Sequence, residues 1–272
     1  MMNMICPLCG SDSRIVWKEL PYRAYRCRIC TTIFLDSIPA DNRVSYGREY
    51  FESWYLHARR KRVACFRKYL AAINTIRGGR KGRVLDVGCG IGIFLGVAQA
   101  DGWDVIGQDT SEFAATLCRM NGFKVLCEPL DTLSLPEGSF DMITMWDVIA
   151  HLDNPASYLS SVRRLLSDGG LFVIKTPHHP LLLFQFADFL SFTGRSRSIL
   201  HVPAQLFHFT PYAMRNVLSR FGFRVKKIEA ASEVHFSSGN KFHMRDVILA
   251  GLDTGLKLIL HPESFIIYAE KS

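Results

Sequence analysis

The stretch Val84-Leu85-Asp86-Val87-Gly88-Cys89-Gly90-Ile91-Gly92-Ile93-Phe94-Leu95 decides how this chain is read. A short apolar, β-branched run ends in an acid, three glycines follow on alternate positions, and helical spacing resumes at Phe94. That order predicts a strand, a tight loop and a helix. The glycines let the loop turn sharply and bring its backbone close to a ligand. A dinucleotide fingerprint would need a glycine at position 93, where Ile93 stands, so the G-x-G-x-G loop disfavours NAD.

Working outward, a second apolar strand, Trp103 to Gln108, ends at Asp109, 23 residues after Asp86. An acid at the end of the second strand can accept hydrogen bonds from ribose hydroxyls. Alone, such a residue is more often a helix cap. In this order, the two features predict an α/β fold with a doubly wound, mostly parallel sheet.

The front of the chain carries a different signal. Cys6-Pro-Leu-Cys9 and Cys27-Arg-Ile-Cys30 form two C-x₂-C pairs with 17 residues between them. Each short loop aims two thiolates at one centre, and two loops complete a tetrahedron around Zn²⁺. Four protein thiolates leave no open position for water, so the site is read as structural, a closed zinc ribbon over residues 1–40. Redox pairs or four unrelated thiols are the alternative. Gly10 suits the turn after the first pair, and Arg14 to Arg26 carries the β-formers of a small hairpin. A ribbon this small has little core, so metal ligation is expected to supply much of its folding energy.

Residues 41–82 read as a basic helical connector. From Ser53 to about Arg77, Val63, Phe66, Tyr69, Leu70, Ile73 and Ile76 fall at helical spacing, beside Arg59, Arg60, Lys61, Arg62, Arg67 and Lys68. The helix either attracts nucleic acid or acidic substrates, or packs on the next domain with a solvated basic face. Gly78 to Gly82 form a linker.

The chain has 272 residues, 48% of them hydrophobic, enough for a full core. The net charge of +8 is unevenly placed. Residues 1–82 hold 16 Lys+Arg against 6 Asp+Glu, and residues 83–272 hold 17 against 19. A basic front third therefore joins a nearly neutral body. Neither a signal-peptide pattern nor an apolar run of spanning length is visible, and the expectation is a cytoplasmic protein. Oligomeric state is not legible.

The body resembles the class I S-adenosylmethionine-dependent methyltransferases, from Arg83 to Thr176 and less distinctly to Ser272. The resemblance rests on VLDVGCGIGIFL, on VIGQDTS, on SFDMITMWDVIAHLDNP and on LLSDGGLFVIKTP. A zinc ribbon in front is a feature of one subgroup. The resemblance implies a seven-stranded Rossmann-like methyltransferase domain over 83–272, with an insertion near 178–205. Asp86, Gly88, Cys89 and Gly90 would line the methionine moiety of the cofactor, and Gly92 would close the turn. Asp109 would hold the ribose, with Thr110 beside it. Pro129 stands where the family commonly places an acid near the adenine, with Leu130 and Asp131 next to it; Leu130 would pack on the ring. Trp146 and Asp147 would border cofactor and acceptor.

His151 follows the fourth strand, where the family often carries Glu-His, and it is the candidate general base; the alternative is an interior histidine bonded to backbone. Ala150 takes the Glu position, which argues against metal-assisted O-methylation of a quinone precursor. His178 and His179, after the fifth strand, are secondary candidates for acceptor contact. Leu181 to Phe192 reads as an acceptor lid, a peripheral membrane patch, or an insertion packed on the body or a partner. The activity implied is methyl transfer to a small-molecule acceptor: a sugar, a glycolipid intermediate or a natural-product precursor. An RNA acceptor docked by ribbon and basic helix is the alternative, and a non-catalytic binding protein is a third.

Overall fold

Two sheets organise the residues that the computed structural model describes, 4–36, 46–52, 59–189, 196–231 and 264–272. In chain order, β1 (Met4–Ile5), β2 (Asp12–Glu19), β3 (Tyr22–Cys27) and β4 (Ile33–Leu35) precede α1 (Arg48–Tyr50) and α2 (Arg59–Ile76). The alternating body follows: β5 (Arg83–Val87), α3 (Ile93–Ala100), β6 (Asp104–Gln108), α4 (Glu112–Met120), β7 (Lys124–Leu126), β8 (Phe140–Trp146), α5 (Pro155–Leu165) and β9 (Leu166–Pro177). Then come α6 (Leu181–Phe189), α7 (Ser196–Ile199), β10 (Phe207–His208), α8 (Pro211–Arg220), β11 (Phe223–Ala230) and β12 (Ser264–Lys271).

The large sheet has seven strands in the order β11-β12-β9-β8-β5-β6-β7. β6, β7, β8 and β9 run parallel to β5 or to each other, and β12 lies antiparallel between β9 and β11. Val84, Leu85, Asp86 and Val87 are all buried, as expected for a strand covered on both faces. From β5 the chain moves outward through β6 and β7, then returns to the other side of β5 with β8. The reversal opens a crevice beyond the carboxyl ends of β5 and β8, the place where open parallel sheets bind ligands.

Helices cover both faces. On one, Phe66, Tyr69, Leu70 and Ile73 of α2 pack with Phe94 and Leu95 of α3 and Cys118 of α4. Their i, i+3, i+4, i+7 spacing puts a single stripe of α2 into the core. On the other, Leu159, Val162 and Leu165 of α5 pack with Val217 and Leu218 of α8. The helix starts are written into the sequence: Ser111, Asn154 and Thr210 each accept a bond from the backbone N–H three residues on. Pro155 and Pro211 sit at the first helical position, where no N–H is needed.

The small sheet joins the front of the chain to the insertion. Its order is β1-β2-β3-β4-β10, so a strand beyond residue 205 completes the ribbon. Phe34 pairs with Phe207 and Ile33 with His208. Trp17, Tyr22 and Leu35 share a buried cluster with Phe184, Ala187, Leu200 and Val202. The indole N–H of Trp17 donates to the Ser196 hydroxyl at 3.2 Å, and Arg197 donates to Glu19 at 2.5 Å. The ribbon is thus not free-standing. Strand pairing joins the segment expected as a ribbon, 1–40, to β10 of the expected body, 83–272, just beyond the expected insertion near 178–205. Of the apolar run 181–192, α6 covers 181–189 and the remainder lies outside the described residues.

Candidate active site

The glycine loop leaves β5 and folds back on β6. The N–H groups of Gly88 and Cys89 both donate to the Gln108 carbonyl, at 2.7 and 2.9 Å. Gly88 has φ +68°, and a Cβ there would lie 2.4 Å from Val148, so the loop presses on the segment after β8. Gly92, at φ +79°, caps α3, and a Cβ there would meet the Cys118 sulfur at 2.9 Å. The Gly90 N–H donates to Asp109 Oδ2 at 2.7 Å, while Asp109 Oδ1 accepts from the Ser111 N–H at 2.9 Å. Asp109 therefore ties the loop to the start of α4 and keeps unused lone pairs on both oxygens.

Two buried acids face this crevice. Asp86 is 1% exposed and accepts from the Thr144 hydroxyl at 2.6 Å. Burial pushes its carboxyl up to about 8, against the partial relief of that bond. Burial also raises Asp109, although two backbone N–H groups pull it down. The other residues that the sequence assigns to the cofactor here divide, some staying at the crevice and some turning away. Cys89 aims its sulfur at β6, where a Cβ on Gly107 would lie 2.7 Å from it. Thr110 is exposed, and Leu130 is enclosed in the core. Asp131 accepts from the Ser157 hydroxyl at 2.6 Å, fixing the loop after β7 to α5.

At the end of β8 the two neighbouring candidates diverge. The Trp146 ring stacks on Tyr69 at 5.6 Å and meets Phe66 and Phe94 edge-on or tilted, which makes it an anchor for α2. Asp147 has φ +61°, unusual outside glycine, and pairs through both carboxylate oxygens with Lys175 of β9 at 2.9 and 2.8 Å. His151 lies in a short turn just beyond. Its Nδ1 is 2.6 Å from the Ala204 carbonyl, which can only accept, so the ring proton sits on Nδ1 and Nε2 carries the lone pair. Tyr46 packs edge-on against His151 at 6.4 Å and against Tyr50 at 5.1 Å. The Tyr46 carbonyl accepts from the Ser111 hydroxyl at 2.6 Å. Burial and the Asp109 charge push the Tyr46 phenol up to about 12, and burial with Asp147 and Asp109 raises Tyr50.

The four front cysteines converge. Their sulfurs all lie within 4.8 Å of one another, with Cys6 to Cys30 at 3.6 Å and Cys9 to Cys27 at 3.4 Å. A zinc tetrahedron with bonds of about 2.3 Å separates sulfurs by roughly 3.8 Å, so the set fits. The Ile29 and Cys30 N–H groups point at the Cys27 sulfur at 3.4 Å. Gly10 and Thr31, each directly after a second cysteine, share a left-handed backbone at φ +70° and +64°.

A protein-family model described as a methyltransferase domain matches residues 55–228, well over half of the chain. The chain belongs to this methyltransferase-domain family. The methyltransferase is 28% identical over 171 residues to a ubiquinone biosynthesis O-methyltransferase of Methylococcus capsulatus, an alignment covering 57% of this chain and 70% of that protein. A protein of the same name from Bordetella avium is 32% identical over 136 residues, covering 44% and 56%. The alignment thus spans little more than half of the Bordetella relative. A solved S-adenosylmethionine-dependent methyltransferase of Archaeoglobus fulgidus superposes with a TM-score of 0.56 at 24% identity, covering 78% of this chain and 94% of that one. The methyltransferase therefore has the fold of S-adenosylmethionine-dependent enzymes.

The residues present suit that cofactor. Asp86 and Asp109 are carboxyls driven up by burial, so a cationic ligand complements them, and Asp109 has lone pairs spare for ribose hydroxyls. Tyr46, Tyr50 and Lys175 of this methyltransferase carry no mark in the sequence. No local spacing singles them out: they reach the crevice through Ser111, His151 and Asp147, which are distant in the chain.

Proposed function

We propose that this chain transfers the methyl group of S-adenosylmethionine to a small-molecule acceptor, with His151 as the general base. One observation carries the reading: the Ala204 carbonyl holds the Nδ1 proton of His151, which leaves Nε2 to carry the lone pair of the neutral ring. The names of the Methylococcus and Bordetella relatives support a small acceptor.

When bound, the cofactor supplies a methyl group on a positively charged sulfur, already activated for in-line displacement. The chain's own residues then have four tasks. Asp86 and Asp109 would meet its positive charge and its ribose, and Gly88, Gly90 and Gly92 would give its methionine part close backbone. Asp147, pinned by Lys175, would form the border between cofactor and acceptor. Tyr46 and Tyr50 would wall the opening against water. His151 Nε2 would take the proton of the attacking group as the new bond to carbon forms and the carbon–sulfur bond breaks. The cysteine set Cys6, Cys9, Cys27 and Cys30 would hold a structural Zn²⁺, which keeps β4 in place against β10.

Calorimetry with S-adenosylmethionine on zinc-loaded protein tests the first step, and absence of binding would sink the enzyme reading. Transfer of radiolabelled methyl to fractionated small metabolites and, in parallel, to total RNA tests the acceptor. Label in RNA, with a steep salt dependence, would replace the small-molecule reading by the basic-helix alternative.

A further inference from the structure

Of the nine histidines, the five among the described residues are not scattered. Every one among the described residues (His151, His178, His179, His201 and His208) falls in one cluster between the carboxyl edge of the large sheet and the insertion. The His179 ring lies 4.8 Å from His208 and 6.0 Å from His201. The His179 N–H donates to the Phe209 carbonyl at 2.9 Å, and His178 forms a bridge with Phe209, so the loop after β9 is laced to β10. The same insertion supplies the Ala204 carbonyl to His151, and the Leu206 N–H donates to the Ala150 carbonyl at 2.7 Å.

Two of these rings are enclosed with nitrogens that make no hydrogen bond. His179 is 4% exposed and His208 1%. Both ring nitrogens of His208, and Nδ1 of His179, are buried and make no hydrogen bond. Packing alone does not call for imidazole here, since Phe184 stands against the His208 ring at 5.0 Å and a phenyl group fills such space without polar atoms to satisfy. Burial and the neighbouring histidines hold both rings neutral, His208 down at about 3. His208 therefore offers one donor and one acceptor, His179 offers its Nδ1, and neither ring brings a charge. An anion gains no ion pair from such a pair. A hydroxyl group matches this chemistry, because it can accept from one ring nitrogen and donate to the other. A metal does not: among the described residues, the four cysteines alone bring three or more donors together.

We propose that His179 and His208 form a subsite that anchors a non-reacting hydroxyl group of an uncharged acceptor beside His151. The proposal rests on the small-molecule methyltransferase reading and narrows its acceptor to hydroxylated compounds. The hydroxyl can belong to an aromatic ring or to a sugar, and the test separates the two.

Full-length, zinc-loaded protein labelled with ¹⁵N-histidine and saturated with S-adenosylhomocysteine is titrated with catechol and with methyl glucoside, and with benzoate and inorganic phosphate as anionic controls. Two-bond ¹H–¹⁵N spectra read the ring nitrogens. One hydroxylated probe is expected to shift the His208 nitrogens saturably, and which one does so names the source. His208→Phe should weaken that probe at least tenfold, whereas His208→Gln, which keeps a donor and an acceptor, should retain most of the binding. Both variants should bind S-adenosylhomocysteine within twofold of the parent, which also verifies their folding. Shifts with neither hydroxylated probe, equal shifts with the anions, unchanged probe binding in His208→Phe, or ring shifts with Zn²⁺ alone would each overturn the subsite. Loss of S-adenosylhomocysteine binding by the parent protein would instead sink the reading beneath it.

Discussion

His151 and Ala204 are 53 residues apart in the chain and 2.6 Å apart in space, with the imidazole donating and the carbonyl accepting. The bond decides which nitrogen is basic. Spectra of the labelled protein at pH 8 should show His151 protonated on Nδ1, and a ring protonated on Nε2 would remove it as the base. His151→Gln should bind the cofactor normally and lose about 10²- to 10⁴-fold in single-turnover transfer. An unchanged rate would assign the proton to another group.

Asp86 predicts the proton balance of cofactor binding. Its folded pKa of about 8 stands above the ordinary value of about 3.9, so near pH 7 the free protein holds it largely protonated. A cationic ligand favours the ionised form. Binding at pH 7 should therefore release protons, seen as a dependence of calorimetric heat on buffer ionisation, and the release should fade above pH 9. The sign for stability follows from the same shift. The folded state binds the proton that the unfolded state has lost, so Asp86 costs stability as pH rises from about 4 to 8, by at most about 1.4 kcal/mol per unit. Asp86→Asn should remove that loss of stability between about pH 4 and 8 in the free protein while weakening cofactor binding.

The buried histidine pair predicts the opposite limb. His208 and His179 are depressed below the ordinary 6.5, so the unfolded chain takes up protons that the folded one refuses. Stability present above about pH 6.5 should be lost as pH falls toward 3. His208→Phe should shift the acid unfolding midpoint downward, and a midpoint unmoved by the substitution would mean that the acid limb has another origin.

Zinc removal should be felt in the catalytic body. Chelation releases Cys6, Cys9, Cys27 and Cys30, and with them β4, which pairs with β10. A fall in Tm of about 10 °C is expected for the loss of a few kcal/mol in a domain of this size. Amide exchange at Phe207 and His208 should rise together with it. Equal protection of those amides with and without metal would separate the ribbon from the site.

The parts of this site that local sequence spells are legible. Asp86, the three glycines and Asp109 follow from one strand–loop–helix unit and the next strand, and the cysteine pairs from their own spacing. The family resemblance places Trp146 at the border of the ligand, yet its ring goes to α2, because neighbouring residues of a strand point to opposite faces. Lys175 is hidden for a related reason: its partner Asp147 lies in the turn just after β8, 28 residues away. His208 sits in a two-residue strand paired with the ribbon, a contact that no periodicity announces.

That pairing has a consequence for how the chain comes together. The ribbon is synthesised early, but its fifth strand arrives some 170 residues after Leu35. Until then β4 presents an open edge, ready to pair with whatever strand is near. Metal capture can order the cysteine end at once, whereas closure of the sheet waits for a contact of very long range, the kind that slows folding. The ribbon is for that reason a poor piece to transplant: moved without residues 196–209, it would carry its unfinished edge with it.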